Sequence, residues 1–233
     1  MKSVKAKPFI FYATFLSLFL VAVSFTSCLK SEPPTPVAYL NVIHSSAGDA
    51  GLNFALDHNR VYYQNFRYGK YTGYFRAFPG ARAFKVYERN NDNPLITNNI
   101  NLLENKHFSV FIVDTSTKME TVLLRDSTRA AGQDSVRIRF ANMSPDVPAM
   151  DFYLQGESTP IASNVAYKTA VDFVSKKLTK DMVFEVKKAG QNTVLATSDK
   201  YNLWDRRVYT IWSGGYQAGT GDKKLSVFAM LHN

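Results

Sequence analysis

The 233-residue chain has a single cysteine, Cys28. One thiol rules out an intrachain disulfide and a cysteine-rich metal cage. Histidine is also scarce: His44, His58, His107 and His232 do not have zinc-ligand spacing. No G-x-S-x-G nucleophile elbow occurs, and Gly214 to Lys223 lacks the G-x4-G-K-[ST] order of a phosphate loop. That stretch reads as a hairpin loop. Asp146 and Asp151 are too few for a calcium site, which wants six to eight oxygens. Two carboxylates of any chain can meet in space, so glycoside hydrolysis is the one chemistry composition leaves open. Beyond the first 29 residues no sustained 3.6-residue apolar stripe is found, which argues against helices. The expectation is a protein without enzymatic activity, cofactor or bound metal.

One long apolar run is present, at the start. Lys2, Lys5 and Lys7 precede a charge-free stretch from Pro8 to Leu29 that contains Phe25-Thr26-Ser27-Cys28. A basic segment, an apolar core and small residues before a cysteine are similar to a bacterial lipoprotein signal peptide. That resemblance implies a signal peptide over residues 1–27, lipidation of Cys28 and membrane attachment through it. An uncleaved transmembrane anchor and an ordinary signal peptide with a chance cysteine are the competing readings. Residues 28–36 then form a tether in which Pro33, Pro34 and Pro36 favour extended backbone. Lys30 and Glu32 resemble part of the export signal of Bacteroidetes surface lipoproteins. The expected location is the cell envelope, at the outer membrane, on its periplasmic or surface face. Without the three leading lysines the net charge of +9 falls to +6. Such a scattered excess favours anionic surfaces, lipid or acidic glycan. Nucleic acid is not an expected partner.

The remainder reads as short strands separated by turns. Val136-Arg-Ile-Arg-Phe140 alternates apolar and charged residues, the period of a half-buried strand. Phe84–Tyr87, Phe108–Val113, Val183–Val186, Val208–Trp212 and Leu225–Met230 are similar. Polar turn clusters lie at 90–94, 189–192 and 214–222.

The chain also repeats itself. Ala38–Leu56 aligns without gaps on Val136–Leu154 at an offset of 98. Phe84 and Val86 meet Phe184 and Val186 at offset 100, and Phe108 and Val110 meet Tyr209 and Ile211 at offset 101. The fold expected is all-β, two tandem immunoglobulin-like β-sandwich domains over 37–124 and 135–233 after a lipoprotein signal peptide. Residues 125–134, polar and without period, read as a linker.

The second repeat carries FANMSPDVPAMDFYL (Phe140–Leu154), then ASNVAYKTAVDF (Ala162–Phe173). These segments resemble the DUF4397 family, whose repeats begin with a strand, an N-x-S-P-D-x-P-x-x-D segment and a later l-a-x-n-l-x-y. The first repeat, HSSAGDAGLNFAL (His44–Leu56), lacks both prolines and has Asn53 in place of the later aspartate. The resemblance implies β-sandwich modules on secreted or cell-surface bacterial proteins, with no established chemistry. Physically, Ser144-Pro145-Asp146 reads as a turn, and Asp151 is placed to bond a loop amide.

Tyr62 to Phe78 stands apart, with eight aromatics in seventeen residues and Arg60, Arg67, Lys70 and Arg76 interleaved. The repeat sorts them. Tyr62, Phe66, Tyr68, Tyr74 and Phe75 have apolar or aromatic counterparts and read as structural. Tyr63, Tyr71 and Phe78 do not. These three, flanked by Arg67 and Lys70, are the candidate ligand contacts, since exposed tyrosine beside arginine suits stacking on sugars or a protein partner. Packing between the two domains is an equal reading for the same side chains. The function expected is a non-catalytic binding or adhesion module for glycan or an envelope protein. The alternative is a structural envelope module that packs on another protein and has no soluble ligand.

Overall fold

In the computed structural model the described residues are 34–48, 51–61, 66–115 and 117–232. Cys28 and the other positions of the signal peptide lie outside them. Pro36–Asn233 forms one compact unit. Its first half supplies strands β1 (Ala38–His44), β2 (Leu52–Leu56), β3 (Asn59–Val61), β4 (Phe75–Ala77), β5 (Gly80–Glu88), β6 (Pro94–Leu102), β7 (His107–Val113) and β8 (Glu120–Arg125). The second half supplies β9 (Ser135–Asn142), β10 (Ala149–Leu154), β11 (Ala162–Ala166), β12 (Thr169–Ala170), β13 (Val174–Lys177), β14 (Phe184–Lys188), β15 (Val194–Thr197), β16 (Val208–Gly214) and β17 (Ser226–His232). Among the described residues the only helical turn is the short 3-10 segment Gly221–Lys223.

The strands make four sheets. In the first half these are β4-β1-β7-β8 and β3-β2-β5-β6; in the second, β12-β9-β16-β17 (with β13 also on β9) and β11-β10-β14-β15. The sequence repeat is a repeat of register. Leu40 pairs with Phe108 and Val42 with Val110 in parallel, as Ile138 pairs with Tyr209 and Phe140 with Ile211. Phe54 faces Val86 as Phe152 faces Val186. A bulge falls after Val86 in one half and after Val186 in the other. A one-residue slip would turn every core side chain outward, so this shared register is what the gap-free alignment preserved.

Each half encloses its own core. Leu40, Val42, Phe54, Phe66, Phe84 and Val110 are buried in the first, and Ile138, Phe140, Phe152, Val165, Phe184 and Ile211 in the second. Phe140, Phe152 and Phe184 form a continuous stack, with centroids 4.7 and 5.4 Å apart. Each fully buried side chain contributes about 1.5–3 kcal/mol.

A third apolar cluster joins the halves: Ile43, Phe111 and Val113 meet Ala141, Trp212 and Met230. It lies on the second faces of the β1 and β9 sheets, so the body is a stack of four β layers with those two sheets inside. The expected solvent face of Val136–Phe140 is therefore corrected: Arg139 is 4% exposed. All seven residues of β16 are buried, whereas outer strand β14 alternates. Burial on both faces removes the period-2 signal.

The two halves are stacked with like ends together. At the upper end, where β1, β7, β9 and β16 finish, Tyr68 reaches Phe228 and the carbonyl of Lys224. At the lower end, where the same strands begin, the Ala131 amide donates to the Arg206 carbonyl. The chain also enters the body at this lower end, with the Asn105 amide donating to the Val37 carbonyl.

Candidate functional site

The upper end is built from three pieces. The first is the Ser144-Pro145-Asp146 turn. Buried Asn142 holds it by accepting from the Ser144 amide and donating to the carbonyls of Val147 and Val165. The second is the Gly-rich hairpin after β16. Both carboxylate oxygens of Asp146 accept from the Gln217 amide at 2.9–3.0 Å, tying this hairpin to the turn. Asp151 accepts from the amides of Asn164 and Gly190. The two signature aspartates are thus occupied in fixing loops.

The third piece is the segment before β4. Its backbone is pinned by the Lys70 carbonyl accepting from the His44 amide and the Gly69 amide donating to the His44 carbonyl. Gly69 has φ +83°, and a Cβ there would come within 2.8 Å of the Phe228 ring. Glycine at this point allows the first half to press against the second.

Between this segment and the hairpin lies a cavity of about 640 Å³. Arg67, Tyr68 and Lys70 line one side, and Thr220, Asp222 and Lys223 the other. Gly48 forms part of the wall, with the Lys223 side chain lying across it where a Cβ would stand. Arg67, Lys70 and Lys223 are exposed, and among the described residues none is held in an ion pair. Tyr68 is largely buried, and burial raises its phenol pKa far above the ordinary value, with Ser226 opposing the shift. It stays neutral and offers a ring edge and a hydroxyl. Three cations outside any ion pair among the described residues thus surround one aromatic, with one carboxylate and one hydroxyl, an arrangement whose donors can meet anionic oxygens.

The other polar constellation lies deep in the interface. Arg139 pairs with Asp126, both side chains almost wholly buried. Asp126 also accepts from the hydroxyls of Tyr74 and Ser109, each at 2.6 Å. Tyr74 contacts His232 Nδ1 at 2.8 Å, His232 Nε2 contacts Thr210 at 2.7 Å, and Thr210 accepts from Arg139 Nε. Since the Tyr74 proton goes to Asp126, the network assigns the His232 proton to Nδ1, with Thr210 donating to Nε2. The ring closes with His232 neutral. Burial lowers the His232 pKa to about 4, against the raising effect of Asp126 and with smaller lowering by Arg139 and His107. The set has the residue types of a proton relay but no opening for a substrate, because Asp126 and His232 are fully buried. Its role is to join the halves. Asp126, the first residue after β8 and part of the expected linker, is thereby fixed in the interface.

The residues singled out from sequence are dispersed. Arg67 and Lys70 line the cavity. Tyr71 packs on the cluster joining the two halves, the domain-packing place weighed for it. Phe78 is 59% exposed but lies past the lower end of β4, stacked under Arg82. Lys70 pairs at His44 and Ala77 at Ala38, so about 20 Å of strand separates Phe78 from the cavity. Tyr63 lies outside the described residues. Sequence reasoning missed Tyr68, set aside as structural because its counterpart is Tyr167. It also missed Lys223, whose place across the cavity depends on contacts between distant parts of the chain.

Fold and interface define a class: tandem β-sandwiches stacked through their parallel-paired sheets, with a cleft at the shared upper end. Two segments, residues 38–153 and 138–230, match the family model described as "Domain of unknown function (DUF4397)". The chain belongs to the DUF4397 family. The segments overlap, the first running past β8 into the second half.

No curated protein matches the sequence. Among solved structures, a family 41 carbohydrate-binding module from streptococcal virulence factors, described with alpha-glucan recognition, is 13% identical, with 82% of this chain and 96% of that one covered at a TM-score of 0.26. A family 26 module from Eubacterium rectale in complex with maltoheptaose is 8% identical, with 83% and 96% covered and a TM-score of 0.25. A leucine-rich repeat protein from Bacteroides thetaiotaomicron is 11% identical, with 81% of this chain and 27% of that one covered at a TM-score of 0.21. Overlaps this small carry no argument.

Proposed function

We propose that the protein is a non-catalytic, lipid-anchored envelope module that binds an acidic glycan in the upper cleft. The observation that carries this reading is the convergence of Arg67, Lys70 and Lys223 on one cavity beside Tyr68. The cations come from loops of both halves, so the site exists only in the assembled stack. Carboxylates or sulfates would meet the cations, and the sugar would pack against the edge of the Tyr68 ring. The cleft and the chain entry are at opposite ends of the body, so an anchor at Cys28 leaves the cleft pointing away from the membrane.

Polygalacturonate is the probe, with neutral dextran as control. The wild-type protein is expected to retain polygalacturonate, less strongly as salt rises. Charge-assisted contacts contribute about 1.5–3 kcal/mol each, so R67A/K70A/K223A should weaken binding by about 100-fold or more. The three side chains are exposed, so the melting temperature should hold. Equal retention of dextran, or of polygalacturonate by the triple variant, would overturn the reading. The anchor has its own test: a clickable palmitate analogue should label the wild type and not Cys28→Ser. Labelling that persists in the variant refutes it.

A further inference from the structure

The lower end carries side chains that neither the cores nor the cleft use. Leu103 and Trp204 are 47% and 62% exposed, and Phe78 is 59% exposed. Leu103 and Trp204 occupy the same place in the repeat, at offset 101. Each opens the same four-residue turn. The Lys106 amide donates to the Leu103 carbonyl as the Arg207 amide donates to the Trp204 carbonyl. Asn105 and Arg206 both have positive φ, 56° and 61°. The two turns lock onto the neighbouring strands alike, through Tyr39 with Lys106 and Arg137 with Arg207.

The fold thus presents a large apolar side chain to solvent twice, at corresponding positions, on turns that need none there. Gly80 pairs with Leu102, which places the Phe78–Pro79 corner beside the Leu103 turn. Exposed Lys106, Lys177 and Arg207 lie at the same end. Two acids share the turns. Asp205 is spent on the Ser135 amide and on Arg206, and Glu104 is exposed.

The chain enters the body here, at Val37, eight residues after Leu29. Eight residues can span at most about 29 Å. If Cys28 anchors the chain, the tether joins the body at this end. We propose that the lower end is a membrane-contact surface. Phe78, Leu103 and Trp204 enter the interfacial layer, and Lys106, Lys177 and Arg207 meet the phosphates of anionic lipids. Aromatic and aliphatic side chains ringed by cations suit that boundary. The contact would hold the cleft upright and facing away from the bilayer. The proposal rests on the anchored-envelope reading for its geometry, and its test keeps the two apart.

The mature acylated protein is reconstituted in phosphatidylcholine vesicles containing about 30 mol% phosphatidylglycerol, with nitroxide lipids spin-labelled near the headgroup. Trp212 is 1% exposed, so quenching reports on Trp204. Strong quenching, abolished by W204F, is expected; none would overturn the proposal. The second arm dispenses with the anchor. Leu29–Asn233, which contains the whole compact unit, is tested for partitioning onto the same vesicles. F78S/L103S/W204S should lower its partition coefficient about tenfold, with the melting temperature unchanged. Equal partitioning of both forms would overturn the surface even if Cys28 labelling succeeds. Trp204 burial in a protein dimer without vesicles would do the same.

Discussion

Lowering the pH from 7 to 4 should remove about 6 kcal/mol of stability through two histidines alone. His44 is fully buried, and among the described residues neither ring nitrogen has a hydrogen-bond partner. Its ring meets Phe66 edge-on at 5.3 Å. Burial lowers its pKa from the ordinary 6.5 to about 3, opposed by a smaller raising effect of its own backbone. Burial likewise lowers His232 to about 4, with Asp126 opposing the shift and Arg139 adding a smaller lowering. In the unfolded chain both take up protons as the pH falls through 6.5, while the folded chain refuses them. Stability is therefore complete above pH 6.5, declines below it and levels off near pH 3–4. At pH 4 each histidine accounts for about 3 kcal/mol. Urea unfolding at several pH values measures the total.

His44→Leu separates the contributions. It removes a ring that makes no hydrogen bond and leaves an apolar side chain among apolar neighbours. Its stability at pH 7 should match or exceed the wild type, and the loss between pH 7 and 4 should shrink by about half. An unchanged pH dependence in this variant would exclude His44 as a source. His232 titration would also break the ring. A proton on Nε2 faces Thr210, whose oxygen already accepts from Arg139, so one donor would be left without an acceptor.

How much of this was legible in the sequence depends on how far apart the interacting residues are. Phe54, Phe84 and Val86 could be matched to Phe152, Phe184 and Val186 because a sheet core repeats at period 2 and fixed register makes the repeat align without gaps. Alternation, however, reports that a strand has two faces, not what covers the second. Arg139 occupies the charged position of a strand that reads as half-buried, yet another sheet covers it. Asp126 lies in a polar, aperiodic stretch that reads as a linker, and only the fold reveals its buried partners. Tyr71 shows the same limit: from the sequence its aromatic ring suits a ligand and a domain interface equally, and only the fold places it against the joining cluster. Arg67 and Lys70 could be named as charge beside aromatics. Lys223 could not, because nothing local to the Gly-rich hairpin indicates that it folds back across Gly48. Leu103 and Trp204 differ in type, so only the shared turn geometry relates their exposure.

Asp126→Ala should destabilise the protein by about 3–5 kcal/mol, the cost of leaving a buried charge without its partner. The substitution orphans more than Arg139. Tyr74 and Ser109 lose their acceptor, and the orientation of His232 loses its source, since the Tyr74 proton no longer has Asp126 as its destination. For a body of this size the melting temperature should fall by roughly 10 °C. Arg139→Met on the same background should restore part of the loss, because the stranded charge is then gone and the methionine packs on Phe173, which lies 4.7 Å from the guanidinium. A double variant as unstable as the sum of the two single ones would show that the pair is not coupled. The functional consequence follows from where the ring lies. Asp126, Tyr74 and Ser109 belong to one half and Arg139, Thr210 and His232 to the other, while the cleft takes its cations from loops of both. Loosening the interface should therefore weaken polygalacturonate binding although Arg67, Lys70 and Lys223 are untouched. If Asp126→Ala lowers the melting temperature yet binds at full affinity, the cleft needs only one half, and the two-sided site is refuted.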